Sequence, residues 1–417
     1  MTSSLNCHPQ LPTLRPDPAR GGPLASVRVV DLSRLVAGNM LSMQLGDFGA
    51  DVIKVETPGS GDTLRQWTED HEDHPDGFDG WWRVYGRNKR SLALNLRDPD
   101  AMACLRKLLA TAHVLIESFR PGTLEAMGLA PDALHAANPG LVIVRVSGWG
   151  QTGTYRELPG FGSLIEGVSG YAHKHRAEEA PRLPNMALAD MVAGLTGAFA
   201  TMTALREVEV NRGRGQVIDL SLLEPMLAIM GPDVANFAAT GRSADPHAKI
   251  ASPRGVYRCK DGRWMSMSGS TDGMARRVFE AIGKGPLFDD PRFSTNGARL
   301  RNDVEVDRMI VSFVSDLDLD DALALFRSKG VTVGPIYDAE GLLQDEHVAT
   351  RGCYVAAAGD HSDVETVMHD ITPRLSSTPG ALRRLAPRRG QHTQEVLQEL
   401  GVSSDVLERM RRLGATE

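Results

Sequence analysis

Apolar runs and helix-spaced segments alternate along the first part of the chain. VRVVDL (Val27 to Leu32) and ADVIKVE (Ala50 to Glu56) are short runs rich in β-branched residues, as buried strands are. Between them, MLSMQLGDFG has the spacing of a helix and ends at Gly49, a residue type that commonly terminates one. A strand, a helix and a strand within about 30 residues form a βαβ unit, which predicts parallel strands and a right-handed crossover.

The same alternation continues to about residue 222. Two further segments have helical spacing: DAMACLRKLLATA (100–112) and PDALHAANP (131–139). Four further runs have strand character: KRSLALNL (89–96), HVLIESF (113–119), LVIVRVSGW (141–149) and VIDLSL (217–222). This order of elements predicts an α/β fold with a doubly wound, Rossmann-like sheet.

The sequence changes character after about residue 223. GVYRCKDGRWMSMSGS is typical of a β-hairpin with Asp261-Gly262 as its two-residue turn, and helical patterns follow near 272–282 and 302–328. These segments indicate a smaller α+β domain. The chain ends in two amphipathic helices that we expect to dock on the first domain. We therefore predict three parts: a flexible N-terminal arm (1–25), a large domain (26–222 plus 342–417) and a small domain (223–341).

A lone carboxylate opens a helix of small residues in MALADMVAGLTGAFA, Met186 to Ala200. No charged residue follows Asp190 from Met191 to Leu205, a stretch of 15 residues that is too short to span a bilayer. Aspartate at a helix start most often serves as an N-cap. A catalytic role for Asp190 needs support from the rest of the chain.

Composition agrees with this architecture. A chain of 417 residues is too long for one ordinary core, and 41% hydrophobic with 24% charged residues is typical of a soluble globular protein. The net charge of -7 argues against a nucleic-acid partner. The first 25 residues contain no apolar core of a signal peptide. Four widely spaced cysteines favour a reduced, cytoplasmic location: Cys7, Cys104, Cys259 and Cys353.

Candidate binding groups follow the predicted strands. DLSRLVAGN (Asp31 to Asn39) is the first βα turn, where an open parallel sheet binds ligands, but it has no G-x-G-x-x-G, which argues against a nicotinamide cofactor. TPGSGDTLR (Thr57 to Arg65) is a plain turn more often than a phosphate cradle. Five basic residues recur at predicted strand ends and suggest a polyanion site, although each alone would be surface: Arg87, Lys89, Arg90, Arg97 and Arg120.

Other chemistries find little support. His71 and His74 lie three apart among acids in EDHEDHPD, which we interpret as an exposed acidic loop and not as a metal site, because metal sites need convergent ligands. No G-x-S-x-G, P-loop or H-E-x-x-H motif occurs. SGWGQTGTY (Ser147 to Tyr155) is a Gly-rich turn suited to bring backbone close to a ligand.

Several of these segments, in order, resemble the class III CoA-transferase family, which includes formyl-CoA transferase and carnitine CoA-transferase. The segments that carry the resemblance are VRVVDLSRLVAG, LGDFGADVIKVETPGSGDTLR, NKRSLALNLR, ESFRPG, SGWGQTGTY, ALADMVAG and GRGQVIDLSLLE. The resemblance implies an acyl-CoA and a small carboxylic acid as substrates, no tightly bound cofactor, no metal, and a covalent mechanism on one aspartate, here Asp190. It also implies an interlocked homodimer and no membrane partner.

The resemblance places the CoA-binding residues at Leu35, Val36, Ala37, Thr57, Leu94, Asn95, Leu96, Arg97, Ser118, Phe119 and Arg120. Arg97 and Arg120 are the expected phosphate partners. Two departures argue against oxalate and formate as the acids. Thr57 stands where formyl-CoA transferase has a basic residue, and ASPRGVY (Ala251 to Tyr257) replaces that enzyme's glycine run.

Two alternatives use the same fold. An α-methylacyl-CoA racemase would move an α-proton with an acid–base pair, but Phe161 stands where the histidine of the racemase motif is expected. A CoA-binding regulator without turnover is the other alternative, and the intact small-residue context of Asp190 argues against it.

Overall fold

The computed structural model describes residues 11–67, 79–176, 180–243, 245, 248–358 and 366–417. These residues form two units, a larger one of residues 11–242 and 349–417 and a smaller one of residues 243–348. The smaller unit thus begins at Ser243, whereas the sequence placed its start at 223. The reason is that Met226 is fully buried in the same apolar core as Leu220 and Leu222, so the segment after residue 223 stays with the larger unit.

A six-stranded parallel sheet is the centre of the larger unit, which confirms the predicted α/β class. Its spatial order is β4 (Lys89–Ala93), β3 (Asp51–Glu56), β2 (Arg28–Asp31), β5 (Val114–Glu117), β6 (Val142–Ser147) and β7 (Val217–Ser221). The chain moves outward from β2 to β4 and then returns to build the other half from β5. Between β2 and β5 the order reverses, and a crevice opens there beyond the carboxyl ends of the strands.

Helices cover both faces of this sheet, as the near-continuous apolar strands require. The helices of the larger unit are α1 (Leu35–Asp47), α2 (Gly80–Tyr85), α3 (Pro99–Leu109), α4 (Thr123–Ala126), α5 (Pro131–Ala137), α6 (Gly162–Val168), α7 (Tyr171–Lys174), α8 (Leu188–Asn211), α9 (Leu223–Ile229), α10 (Asp233–Thr240), α16 (Glu346–Arg351, at the boundary), α17 (Thr393–Glu399) and α18 (Ser404–Arg412), with a 3-10 turn at Thr63–Gln66. Val30 faces the core that contains Leu397 and Met410, and Val29 faces the opposite core. The predicted docking of the last two helices on this domain is confirmed.

Small residues let α1 and α8 approach closely. A Cβ at Gly194 would lie 2.7 Å from the Met40 side chain, and one at Gly197 would lie 2.5 Å from Leu41. By length and composition, α8 is the one helix among the described residues that could cross a membrane, with a mean hydropathy of 1.4. Its buried glycines instead hold it against α1, which places its first turn beside the residues that follow β2.

Residues 11–25 differ from the predicted flexible arm. Here β1 (Thr13–Leu14) pairs in parallel with β11 (Tyr354–Ala357), which pairs in turn with β12 (Thr366–His369). The Leu24 N–H also donates to the Phe48 carbonyl at 3.0 Å. This correction applies to residues 11–25, because residues 1–10 lie outside the described part of the chain. The partners of the segment come from distant parts of the chain, which a local pattern does not reveal.

The smaller unit has an antiparallel sheet with the order β10 (Thr332–Pro335), β9 (Trp264–Ser268) and β8 (Arg254–Arg258). Its helices are α11 (Asp272–Ala281), α12 (Asn296–Arg301), α13 (Asp303–Val314), α14 (Leu319–Ser328) and α15 (Ala339–Gln344), with a 3-10 turn at Gly285–Asp289. The predicted hairpin is confirmed, but its loop is longer by one residue, since the Cys259 N–H donates to the Arg263 carbonyl and Gly262 has φ +85°.

Candidate active site

A cleft of about 1090 Å³ lies at the carboxyl ends of the parallel strands. Its walls come from the segments that follow β2, β3, β4, β5 and β6, together with the first turn of α8. Because the sheet order reverses between β2 and β5, the segments after these two strands diverge and leave room between them. The Arg34 N–H donates to the Ser118 hydroxyl at 2.9 Å, which joins the two walls.

The cleft brings together most of the residues that the sequence selected. Asp190 lines it, together with ten of the eleven expected CoA contacts: Leu35, Ala37, Thr57, Leu94, Asn95, Leu96, Arg97, Ser118, Phe119 and Arg120. Val36 is different, because it is fully buried against Leu64 and Trp82 and does not line the cleft. It is the second residue of α1, and its side chain points into the protein while those of its neighbours face the cleft.

Asp190 is the third residue of α8 and not its N-cap. The N-cap is Ala187, and no side chain caps this helix. The carboxylate is partly buried, and the Ala37 backbone N–H lies near enough to favour its ionised form. Burial raises the pKa of Asp190 from its ordinary 3.8 to about 6, the charge of Glu166 adds to the rise, and the Ala37 N–H opposes it. An ionised Asp190 is therefore poorly solvated, a state that favours nucleophilic attack.

The backbone at the start of α6 approaches the Asp190 carboxylate closely. A Cβ at Gly162 would lie only 2.5 Å from Asp190 Oδ2, so no larger residue fits there without a shift. Behind it, a Cβ at Gly148 would lie 2.5 Å from the Gly160 Cα, which shows that the two ends of the loop between β6 and α6 are in backbone contact. The glycines of this loop thus bring the start of α6 against Asp190. The ring of Phe161 is 59% exposed and lines the cleft.

Comparison with known proteins identifies the family of the chain that forms this cleft. A family model described as CoA-transferase family III matches residues 24–393. The chain belongs to CoA-transferase family III. A succinyl-CoA–D-citramalate CoA-transferase from Chloroflexus aurantiacus is 36% identical to this family III CoA-transferase over 390 residues, which cover 92% of this chain and 96% of that one.

Two further relatives agree with the assignment to family III. A succinate–glutarate CoA-transferase from Agrobacterium fabrum is 33% identical, with coverage of 92% of this chain and 97% of that one. The crystal structure of a CaiB/BaiF family protein from Brucella suis superposes with a TM-score of 0.79 at 29% identity, covering 91% of this chain and all of that one. This chain is thus an enzyme of the CoA-transferase class with the family fold.

Only some of the basic residues that the sequence selected reach the cleft of this family III enzyme. Arg97 and Arg120 line it, are exposed, and have no acidic partner among the described residues. Arg87, Lys89 and Arg90 do not line it, which corrects the expectation of a polyanion site at these positions. They lie at the amino end of β4, the end opposite the cleft, and are buried.

Each of these three buried cations has its own partners within the family III fold. Arg87 pairs with Asp47 at 2.6 Å, and Arg90 pairs with Asp51 and with Glu399, at 2.7 and 2.6 Å. The Lys89 Nζ donates to Asn39 Oδ1 at 2.6 Å. Two further arginines line the cleft that the sequence did not single out, Arg34 and Arg156. Both lie in segments that the sequence analysis describes, but nothing in their spacing distinguishes them from surface arginines.

The metal interpretation of His71 and His74 falls outside the described residues. Among the residues that are described, no group of three or more histidine, cysteine or acidic side chains could hold a metal ion. The Gly-rich loop TPGSGDTLR supplies more of the cleft wall in this family III enzyme than the sequence indicated. Besides Thr57, the residues Ser60, Gly61, Asp62 and Thr63 line the cleft.

The raised pKa of Asp190 predicts a change in stability on replacement by asparagine. The pKa of Asp190 is about 3.8 in the unfolded chain and about 6 in the native protein, so native stability falls as the pH rises between these values, and the full penalty applies well above pH 6. We expect Asp190→Asn to raise the free energy of unfolding by roughly 2–3 kcal/mol at pH 8 and by little at pH 3.5. Chemical denaturation at both pH values measures this.

Asp51→Asn is the matched control for this measurement. The pKa of Asp51 is lowered, because Arg90 and Arg28 outweigh its burial, so its replacement should lower stability at pH 8. Equal stabilities of the wild type and Asp190→Asn at pH 8 would contradict the proposed environment of Asp190.

Proposed function

We propose that this enzyme transfers CoA from succinyl-CoA to a dicarboxylic acid through covalent intermediates on Asp190. The observation that carries the proposal is the partly buried carboxylate of Asp190, with its raised pKa, on the wall of a cleft that Arg34, Arg97, Arg120 and Arg156 also line. The names of the relatives, which pair succinyl-CoA with D-citramalate and succinate with glutarate, support the substrate class.

CoA would occupy the crevice between the two halves of the sheet. The segments after β2, β4 and β5 surround it, and the free guanidinium groups of Arg97 and Arg120 would pair with its phosphates. Leu35, Leu94 and Leu96 offer apolar wall to the adenine and pantetheine. The thioester would then lie toward Asp190, where Gly162 leaves space beside the carboxylate.

The first half-reaction uses Asp190 as a nucleophile. Its carboxylate oxygen bonds to the donor carbonyl carbon, the C–S bond breaks, and CoA leaves as a thiolate, which gives a mixed anhydride. The thiolate then bonds to the aspartyl carbonyl carbon and the donor acid leaves as a carboxylate. The product is an aspartyl-CoA thioester, and no proton has been gained or lost.

The second half-reaction runs the same steps in reverse with the acceptor. The acceptor carboxylate attacks the aspartyl thioester, expels CoA thiolate and forms a second anhydride, whose acceptor carbonyl the thiolate then attacks. Asp190 returns as a carboxylate, and the thioester bond is conserved throughout. The Ala37 N–H would donate to the oxyanion that develops on the aspartyl carbonyl. This course needs no bound metal or redox cofactor.

The test is a transfer assay with succinyl-CoA and a panel of mono- and dicarboxylic acids, read by mass spectrometry of the new CoA thioesters. Hydroxylamine added during turnover should convert Asp190 to its hydroxamate, located by peptide mapping. Deuterium exchange at the α-carbon of an acyl-CoA without any acceptor would instead favour a racemase. A protein that binds CoA but gives neither transfer nor hydroxamate would favour the regulator.

The two free arginines give a prediction on CoA affinity. Because each would pair with a phosphate in the exposed mouth of the cleft, we expect Arg97→Ala and Arg120→Ala each to weaken CoA binding by about tenfold at low salt, with less effect at high salt. Titration calorimetry at two salt concentrations measures this. Arg308, an exposed arginine of α13 outside the cleft, is the control. Unchanged affinity in both variants would place the phosphates elsewhere.

We also propose that a second copy of the chain covers the outer face of α8 and α10. Large apolar side chains are exposed there, among them Phe199 at 75%, Val234 at 77% and Phe237 at 51%. Patches of this kind on a soluble protein mark interaction sites. The resemblance implies that the two copies are interlocked, and sedimentation velocity tests the dimer. A cytoplasmic location stays a prediction.

A further inference from the structure

A buried carboxylate beneath the cleft binds the turn that faces the nucleophile. Asp62 is 2% exposed, and both of its oxygens are fully used. Oδ1 accepts from the N–H groups of Leu35 and Leu64, at 3.1 and 2.8 Å, and Oδ2 accepts from Asn39 Nδ2 and contacts Lys54 Nζ, at 2.8 and 2.9 Å. Asp62 therefore has no free acceptor for a substrate, although its loop lines the cleft.

The turn that Asp62 binds is strained. Leu35 has φ +61°, the left-handed region that non-glycine residues rarely adopt, and such residues persist only where surrounding contacts determine them. Three contacts do so here. The Asp62 carboxylate holds the Leu35 N–H, Asn39 Nδ2 donates to the Leu35 carbonyl at 2.6 Å, and Lys54 Nζ donates to the Ser33 carbonyl at 2.6 Å.

The strained turn leads directly to the nucleophile. Ala37 lies two residues after Leu35, lines the cleft beside Asp190, and packs against α8, since a Cβ at Gly194 would lie 2.9 Å from the Ala37 carbonyl oxygen. Its N–H favours the ionised form of the Asp190 carboxylate. The direction of that N–H depends on the backbone at Leu35, because α1 begins there. A relaxed Leu35 would rotate the first turn of α1 and turn the Ala37 donor away from Asp190.

We propose that Asp62 is a positioning residue for CoA transfer, which holds Leu35 in its left-handed conformation so that the Ala37 N–H stays aimed at Asp190. The proposal rests on the proposed function, since it assigns Asp190 as the nucleophile. Asp62 acts through the backbone and does not touch the substrate. Its paired and buried state keeps it ionised, with Lys54 as its counter-charge.

The test compares Asp62→Asn with Asp47→Asn in the full-length enzyme. Asp47 is an equally buried aspartate, 2% exposed and paired with Arg87, but it ends α1 and does not contact the turn. Both variants should lose stability. We expect Asp62→Asn alone to lower kcat by about 30-fold while the Kd for CoA stays within about threefold, because misplacement of a reacting group mainly affects the chemical step.

A second readout separates positioning from general damage. If the Ala37 N–H turns away, the Asp190 carboxylate loses an interaction that favours its ionised form, so the acid limb of the kcat/KM profile should move to higher pH in Asp62→Asn and not in Asp47→Asn. The other charge that faces Asp190 is Glu166, which neither variant alters.

A rescue variant completes the experiment. Glycine adopts positive φ without strain, so Leu35→Gly in the Asp62→Asn background should recover at least half of the lost kcat on a logarithmic scale at saturating succinyl-CoA, while KM rises because the Leu35 side chain is part of the proposed CoA wall. Equal losses of kcat in Asp62→Asn and Asp47→Asn, or no recovery with Leu35→Gly, would overturn the proposal. Wild-type transfer and hydroxamate formation at Asp190 test the proposed function separately.

Discussion

Asp190→Ala is expected to abolish CoA transfer, with kcat lowered by at least ~10⁴-fold, because each step of the proposed course forms or breaks a bond at this carboxylate. CoA affinity should stay within about tenfold, since the proposed phosphate and adenine contacts lie on other segments of the cleft. A coupled assay of the acceptor thioester gives kcat, and calorimetry gives the affinity.

The isosteric variant Asp190→Asn controls for shape. It keeps the size of the side chain and removes the nucleophilic charge, so it should be as inactive as the alanine variant and more stable than the wild type above pH 6. Transfer at more than a few per cent of the wild-type rate in either variant would show that another group carries the acyl chain.

Gly162→Ala is expected to lower kcat by about 100-fold and leave CoA affinity unchanged, because misplacement of a reacting group by a fraction of an ångström suppresses the chemical step. The added Cβ would lie 2.5 Å from Asp190 Oδ2, closer than side chains approach, so the carboxylate must turn away from the thioester. Steady-state kinetics and the yield of the aspartyl hydroxamate measure the loss.

Gly167→Ala is the matched control in the same helix. Gly167 is exposed, has no atom within 4 Å of an added Cβ, and has no positive φ, so alanine should keep full activity and stabilise α6 by ~0.5–1 kcal/mol. Equal activities of the two alanine variants would mean that Asp190 does not react from its observed position.

The fold was largely predictable because its signals are local. Runs such as VRVVDL and LVIVRVSGW are apolar on both faces, as central parallel strands must be, and each became a strand of the sheet. The isolation of Asp190 at the start of a small-residue helix draws attention to it, but its catalytic role is predicted only by the resemblance to class III CoA-transferases. The sequence could not distinguish an N-cap from the third residue of the helix, which Asp190 is, because that distinction requires the helix boundary to within one residue.

Whether a charged residue is buried or exposed depends on partners that are distant in the sequence. Arg90 is buried because Glu399 pairs with it from more than 300 residues away, and Asp62 acquires its role from Leu35 and Lys54 on other segments. A sequence gives the presence of such charges but not their pairing. The same limit explains why residues 11–25 were expected to be loose, since β11 lies near residue 355.

The discontinuity of the larger unit sets the order in which the enzyme can be completed on the ribosome. One face of its sheet, around Leu92 and beside Leu105 of α3, is covered in part by Val396, Leu397 and Met410, which are synthesised after every strand of that sheet. The smaller unit is contiguous over residues 243–348, and all residues of its apolar core are synthesised before Val396, Leu397 and Met410. A nascent chain that has released only its first 390 residues therefore still exposes the apolar groups of this core that Val396, Leu397 and Met410 later cover, and such surface favours aggregation.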